Sequence, residues 1–473
     1  MVQKEADRLA VQALLCTMKA SVFVTVRAKG KQFVDVIRDE RIKRNLLHAI
    51  PFWAGSLITG VVAVAYTRLF GYAEGILQYF LHLNGWSLFI VTPLCFLLAW
   101  SIVRFAPTAR GSGIPQVMAA IELATPKHKD KIGSLLSLRI ILIKISSSLL
   151  MVMGGGAVGR EGPTIQIAGS IFNLVNKWIP KSWPKLSAQS YILTGAAAGL
   201  AAAFNTPLGG VVFAMEELSR IHLRHFRTAL FSAVIIAGLT AQAMLGPYLY
   251  LGYPDVHDLH YTTFAAVGFT AVITGFMGSW MCKIILRIMR WKRSFNTARS
   301  VLYLLAAGLF MAFTAHFIDR EILGSGKELM NTLLFTPVKD VSWHTVLTRI
   351  AGPVISFNTG AAGGVFAPAL AAGASIGAFL SGLFNILGSN ANILILSGMV
   401  GFLTGVTRTP FTSAILVLEM TDRHSVIFHL MIAGLISNLA ALLVDKHSFY
   451  EQLKKSYMQE ALGEPVVPAA GAV

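Results

Sequence analysis

Glu161 and Arg160 are the residues of this chain best placed to do chemistry. They stand in Gly154-Gly155-Gly156-Ala157-Val158-Gly159-Arg160-Glu161-Gly162-Pro163-Thr164, a glycine-rich passage inside an apolar stretch. Glycine admits backbone conformations that other residues avoid, and Pro163 suits a first helical turn, where its missing N–H costs nothing. The pattern predicts a broken passage that ends at a helix start, with free N–H groups and the positive dipole end aimed at one point. Such a point binds anions. A carboxylate beside it competes with the anion, so protonation of Glu161 becomes linked to anion occupancy. Gly111-Ser112-Gly113-Ile114-Pro115 repeats the device with a hydroxyl donor in place of the acid, and Gly363-Gly364-Val365-Phe366-Ala367-Pro368 repeats it again.

The elements that must hold these passages are membrane helices. The 473 residues are 55% hydrophobic and only 13% charged, with a mean hydropathy of +0.63. A soluble chain would carry about 25% charged residues. Residues 51–70, 86–103, 229–246, 262–280, 300–318 and 426–444 reach the length of about 18 apolar residues that suggests a span. The net charge of +17 is not a nucleic-acid signature. Lys and Arg cluster in 4–44, 104–139 and 283–299 and in the tail, whereas 71–85 and 247–262, read as outer loops, contain none. That is the positive-inside pattern, which puts both termini in the cytoplasm. Residues 1–45 read as a cytoplasmic helical segment rather than a cleavable signal. Cys16, Cys95 and Cys282 form no metal or redox motif.

In chain order, 135–153 crosses outward and the Glu161 elbow turns back. Residues 190–204 then rise, Asn205-Thr206-Pro207 breaks the helix, and 208–218 descends to Glu216 and Glu217, just before Arg220 and Arg224. Glu161 is thus expected on the outer side and Glu217 near the cytoplasm. Thr194-Gly195, Thr206-Pro207 and Glu216 recur 203 residues later as Ser397-Gly398, Thr409-Pro410 and Glu419, and Gly159–Pro163 parallels Gly364–Pro368. Repeats with interrupted hydrophobic segments at corresponding places point to a midplane transport site. The expected organisation is 1–45 as the N-terminal segment, 46–250 and 251–447 as two membrane repeats, and 448–473 as a short cytoplasmic tail. Whether the halves are parallel or inverted is open at this level.

The three elbows, with Asn205-Thr206-Pro207 and Leu416-Val417-Leu418-Glu419-Met420-Thr421-Asp422, resemble the signature of the CLC family of chloride channels and proton/chloride exchangers, over about 50–450. The short tail after Tyr450 is similar to the bacterial exchanger branch. The resemblance implies an all-α polytopic fold of two inverted halves of tilted and broken helices, a homodimer, and a place in the cell membrane. It implies that Ser112 and Tyr450 give hydroxyls, and Val365 and Phe366 backbone N–H groups, to chloride. It makes Glu161 the outer gate and Glu217 the inner proton-transfer residue, with Gly111, Gly113, Arg160, Gly162 and Pro163 in support. Gln116 and Met118 depart from the pattern, standing where acids are often found, while Glu122 is kept.

The reading that follows is a proton-coupled chloride antiporter, needing no metal or cofactor beyond the transported chloride and protons. A passive chloride channel of the same fold is the runner-up. An intramembrane enzyme lacks a nucleophile–base pair near the elbows, and Ser112 disfavours a carrier of organic solutes or fluoride. Other ionisable residues are read as structural: Arg160 on backbone carbonyls, Glu216 and Glu419 in pairing or at helix ends, Lys144 as a buried counter-charge, His316 and His429 in packing. Tyr450 as an interfacial anchor is the rival to its hydroxyl role.

Overall fold

An apolar segment in a bilayer must satisfy its own backbone polar groups, so helices are the form open to these stretches. In a computed structural model of the chain, the regular elements among the described residues are helices, and β pairing is confined to two isolated bridges. The described residues are 40–180, 183, 186–218, 227–246, 249–256, 262–337, 339, 341–386 and 388–464. The helical segment expected before residue 40, Arg220, Arg224 and the last residues of the tail lie outside them. Contacts divide the chain into a small unit, residues 1–51 with 179–186, and a large one, 52–178 with 187–473, which carries the site.

The first half runs through α1 (Glu40–Leu83), α2 (Leu88–Val103), α3 (Ile114–Leu123), α4 (Ile132–Leu135), α5 (Leu138–Met153), α6 (Glu161–Trp178), α7 (Ala188–Phe204), α8 (Pro207–Phe213) and α9 (Arg227–Leu245). Glu216 and Glu217 sit on a π-helical turn, Ala214–Leu218, that prolongs α8. The second half comprises α10 (Thr262–Lys292), α11 (Thr297–Phe317), α12 (Lys327–Phe335), α13 (Trp343–Asn358), α14 (Phe366–Leu383), α15 (Ala391–Thr407), α16 (Pro410–Thr421), α17 (Ile427–Leu442) and α18 (Phe449–Leu462).

One expected loop is helical. Residues 71–83 continue α1 without a break, and the turn is the short 3-10 piece Gly85–Ser87, capped by the Asn84 side chain. The lack of Lys and Arg suggested a loop, but Gly71 and Gly75 each cost a helix only about 1 kcal/mol, and no proline follows to stop it.

Nine helices among the described residues are long and apolar enough to cross a membrane. They are not equivalent. In α15, 94% of the apolar window is buried inside the protein, against 33% in α9. A helix apolar all round belongs in the interior, and α9 instead turns Phe231, Ile235 and Leu239 outward.

The two halves share one local plan. Helix α7 ends at Asn205 in the left-handed region (φ 58°) and α8 starts at Pro207, while α15 ends at Arg408 (φ 66°) and α16 starts at Pro410. Proline cannot continue the preceding helix, so each break is written into the sequence. Glu216, at the far end of α8, accepts from Phe411 N (3.2 Å) and Thr412 N (2.6 Å) at the start of α16. Glu419, near the end of α16, accepts from Leu208 N (3.0 Å) and Gly209 N (2.8 Å) at the start of α8. Mutual capping of this kind requires the two helices to run antiparallel. Corresponding helices of opposite sense mean inverted halves, and the structural reading of both glutamates holds.

Candidate functional site

Backbone hydrogen bonds gather the three elbows at one junction. Gly111 pairs with Ala362 and Gly159 with Gly364, through Gly111 N to Ala361 O (2.8 Å), Gly363 N to Gly111 O (3.0 Å) and Gly159 N to Gly364 O (2.8 Å). Ser147 Oγ accepts from Ala362 N (3.0 Å), and Ser356 Oγ from Ala157 N (2.8 Å). Two glycines make the approach possible. Gly113 has φ 110°, and a Cβ there would meet Gly162 O at 2.6 Å; a Cβ on Gly162 would run into Ser112.

From this junction two helices start in the same register. The first helical bonds are Thr164 N to Arg160 O and Ala369 N to Val365 O, both 2.9 Å. The N–H groups of Glu161 and Gly162 in α6, and of Phe366 and Ala367 in α14, precede those bonds and have no partner within their own helix. Pro163 and Pro368 follow them and have no N–H. The ends of both macrodipoles therefore present donors to the space between the elbows. Ser112 and Tyr450 add hydroxyls there. Both side chains are fully buried, the two hydroxyls face one another, and neither completes a close hydrogen bond. Other buried hydroxyls of the chain, such as Thr92 and Thr270, also lack a partner; what sets this pair apart is its place beside two helix starts, a donor set that a small anion fits. Tyr450 is wholly inside, so it is no interfacial anchor.

Glu161 folds over this donor set. Its side chain is 1% exposed. The N–H groups of Glu161 itself and of Ala367 act on its carboxylate, Tyr250 donates to Oε1 at 3.5 Å, and Oε2 completes no close hydrogen bond. A carboxyl group thus lies where helix N-termini favour negative charge. Arg160 departs from expectation: its guanidinium lies 5.9 Å from the Tyr250 ring centroid, and no backbone carbonyl bonds it among the described residues. Lys327 lies over the same ring at 4.7 Å.

Lys144 is fully buried beneath the Ser112 elbow and donates to Ala109 O (2.9 Å) and Gly111 O (2.8 Å). The partners of this expected counter-charge are carbonyl dipoles rather than a carboxylate. His316 and His429 pack as expected, against Trp86 (4.8 Å) and on Phe264 (4.0 Å).

Glu217 stands apart from the elbows. With Met118, Glu122, Arg408, Glu451 and Lys454 it lines a cavity of about 580 Å³, and its Oε1 is buried without a hydrogen-bond partner. The π-helical turn that carries it is a distortion often found at functional sites. Sequence reasoning missed Tyr250, Lys327, Ser147 and the Lys454 pairing, because each joins the site through tertiary approach and none belongs to a spaced motif.

Known proteins resemble this chain in sequence and in fold. The H(+)/Cl(-) exchange transporter ClcA of Salmonella schwarzengrund (strain CVM19633) is 27% identical over 455 residues, covering 90% of this chain and 93% of that protein. A slow cyanobacterial Cl-/H+ antiporter has a similar fold, with TM-score 0.75, 22% identity, and coverage of 87% of this chain and 98% of its own. A CLC-type fluoride/proton antiporter follows at TM-score 0.72 and 20% identity, again covering 87% and 98%. The voltage gated chloride channel family matches residues 94–442, most of the chain, and with the three elbows, the inverted halves and the buried donors in place, this chain belongs to that family.

Proposed function

We propose that this protein is a proton-coupled chloride antiporter in which Glu161 is the outer gate and Glu217 the inner proton-transfer residue. The observation that carries the reading is the Glu161 carboxylate, lying over the N-terminal donors of α6 and α14. Uncompensated charge in a low-dielectric interior costs many kcal/mol, so these donors hold either the carboxylate or an anion. Protonation removes the side chain's claim on them, and chloride then takes the position. Proton uptake and anion movement become one event. Ser112, Tyr450 and the N–H groups at Val365 and Phe366 hold the next chloride with partial charges, strongly enough to admit it and weakly enough to release it.

The basic loops favour a cytoplasmic side for both termini and for the Glu217 cavity, and the proposed repeats are 46–250 and 251–447. Outward apolar side chains on most of the long helices fit a place in the cell membrane, and the family resemblance favours a homodimer. The name of the 27% identical relative and Ser112 favour chloride, although one similar structure is a fluoride/proton antiporter.

The test is simultaneous recording of proton and chloride movement in liposomes. A chloride gradient alone should drive protons uphill in the wild type. Glu161→Gln and Glu217→Gln should abolish the proton movement while anion flux persists. Wild-type chloride flux with no proton movement would make the protein a passive channel instead.

A further inference from the structure

The cavity beside Glu217 has an uneven distribution of charge. Glu216 is committed to capping α16 through Thr412 N (2.6 Å) and Oγ1 (2.7 Å). Arg408 Nη2 donates to Ser279 Oγ (3.0 Å), Ala441 O (2.6 Å) and Asp445 O (2.7 Å); its Nε and Nη1 complete no hydrogen bond, but its charge is not among those acting on Glu217. Lys446 is exposed, where water and salt screen it. On α3, Met118 faces the cavity without charge, and the Gln116 amide turns away to Thr108 O (3.1 Å) and Arg110 O (2.6 Å). That leaves Lys454, whose side chain is 7% exposed and whose Nζ meets Glu122 Oε2 at 2.7 Å; Glu122 itself is 43% exposed.

Lys454 lies one helical turn beyond Tyr450 on α18, on the same face, and Glu122 is on the helix that the Ser112 elbow begins. The pair joins the two elements that bring the hydroxyls together. Among the described residues, the charges acting on Glu217 are Glu216 and Glu451, of like sign, and Lys454, of opposite sign. An ionised Glu217 is repelled by two carboxylates and attracted by one nearly buried, weakly screened ammonium.

We propose that Lys454 is a positioning residue for inner proton transfer: held by Glu122, it supplies the positive charge against which Glu217 releases its proton into the cavity. This rests on Glu217 being the inner proton-transfer residue. Glu122 shares the ammonium and so tempers its effect, which makes the pair a two-sided control.

The experiment measures chloride-driven proton transport in liposomes against pH, set equal on both faces, for Lys454→Met, Lys454→Arg, Glu122→Gln and Glu217→Gln. Lys454→Met should move the transport midpoint to higher pH by about one unit, because removing an opposite charge disfavours the ionised acid. Lys454→Arg should restore it. Glu122→Gln frees the ammonium for Glu217 and should move the midpoint the other way, to lower pH. If the pair merely pinned α3 to α18, both neutral variants would break the same pin and shift in the same sense, which overturns the proposal. An unmoved midpoint in Lys454→Met, with proton transport lost in Glu217→Gln, overturns it while leaving Glu217's role intact. Proton transport that persists in Glu217→Gln overturns both.

Discussion

Gly162→Ala tests whether the elbows must touch. A Cβ at residue 162 would lie 2.8 Å from Ser112 O and collide outright with Ser112 Oγ. Ordinary contact begins at 3.4 Å, so the backbone oxygen alone would have to retreat by about 0.6 Å. It has little freedom to do so. Next to it, Gly111 is bonded to Ala361 and Gly363, and its carbonyl holds Lys144 Nζ. Overpacking a close-packed site of this kind costs about 1–3 kcal/mol. Expressed at the anion site, where 1.4 kcal/mol is tenfold, that weakens chloride binding by about 5- to 150-fold. Calorimetric titration of the purified protein with chloride measures the effect. Gly382→Ala, at a position with nothing within 4 Å of the added carbon, is the control and should bind as the wild type does. A folded Gly162→Ala protein with unchanged chloride affinity would refute the packed junction.

Glu419→Ala and Glu216→Ala should each lower the thermal unfolding temperature in detergent, since each strips a helix start of two charge-assisted backbone bonds worth about 1.5–3 kcal/mol apiece. The double variant should cost clearly less than the sum if the mutual cap acts as a unit, and strict additivity would argue against that coupling. Lys144→Met leaves the carbonyls of Ala109 and Gly111 without their Nζ donor. It should weaken chloride binding by about tenfold with the fold intact; circular dichroism and chloride titration together check this, and unchanged affinity would show that Lys144 only fills space.

Much of this was readable in the sequence because proline and glycine act locally. Pro163, Pro207, Pro368 and Pro410 set helix starts that the structure reproduces, with the offsets of 205 residues for Pro163 and Pro368 and 203 for Pro207 and Pro410 intact. The hand of the repeat was not readable, since it rests on Glu216 and Glu419 reaching across to each other's helices. Composition misled at 71–85, where the lack of Lys and Arg suggested a loop, yet helix formation needs no charge and α1 runs on to Leu83. Arg160 was expected on carbonyls, but the ring it faces comes from residue 250, ninety positions away in the chain and invisible to spacing. Lys454 looked like one tail lysine among several until the fold set it against Glu122.

The most direct measurement of the central claim is anomalous diffraction from crystals of wild type and Glu161→Gln grown in bromide. The account predicts bromide within reach of Ser112, Phe366 and Tyr450 in both, and in Glu161→Gln a second ion over the Ala367 N–H, where the carboxylate lies in the wild type. Bromide remote from the elbows, or a wild-type residue 161 turned toward lipid, would contradict it.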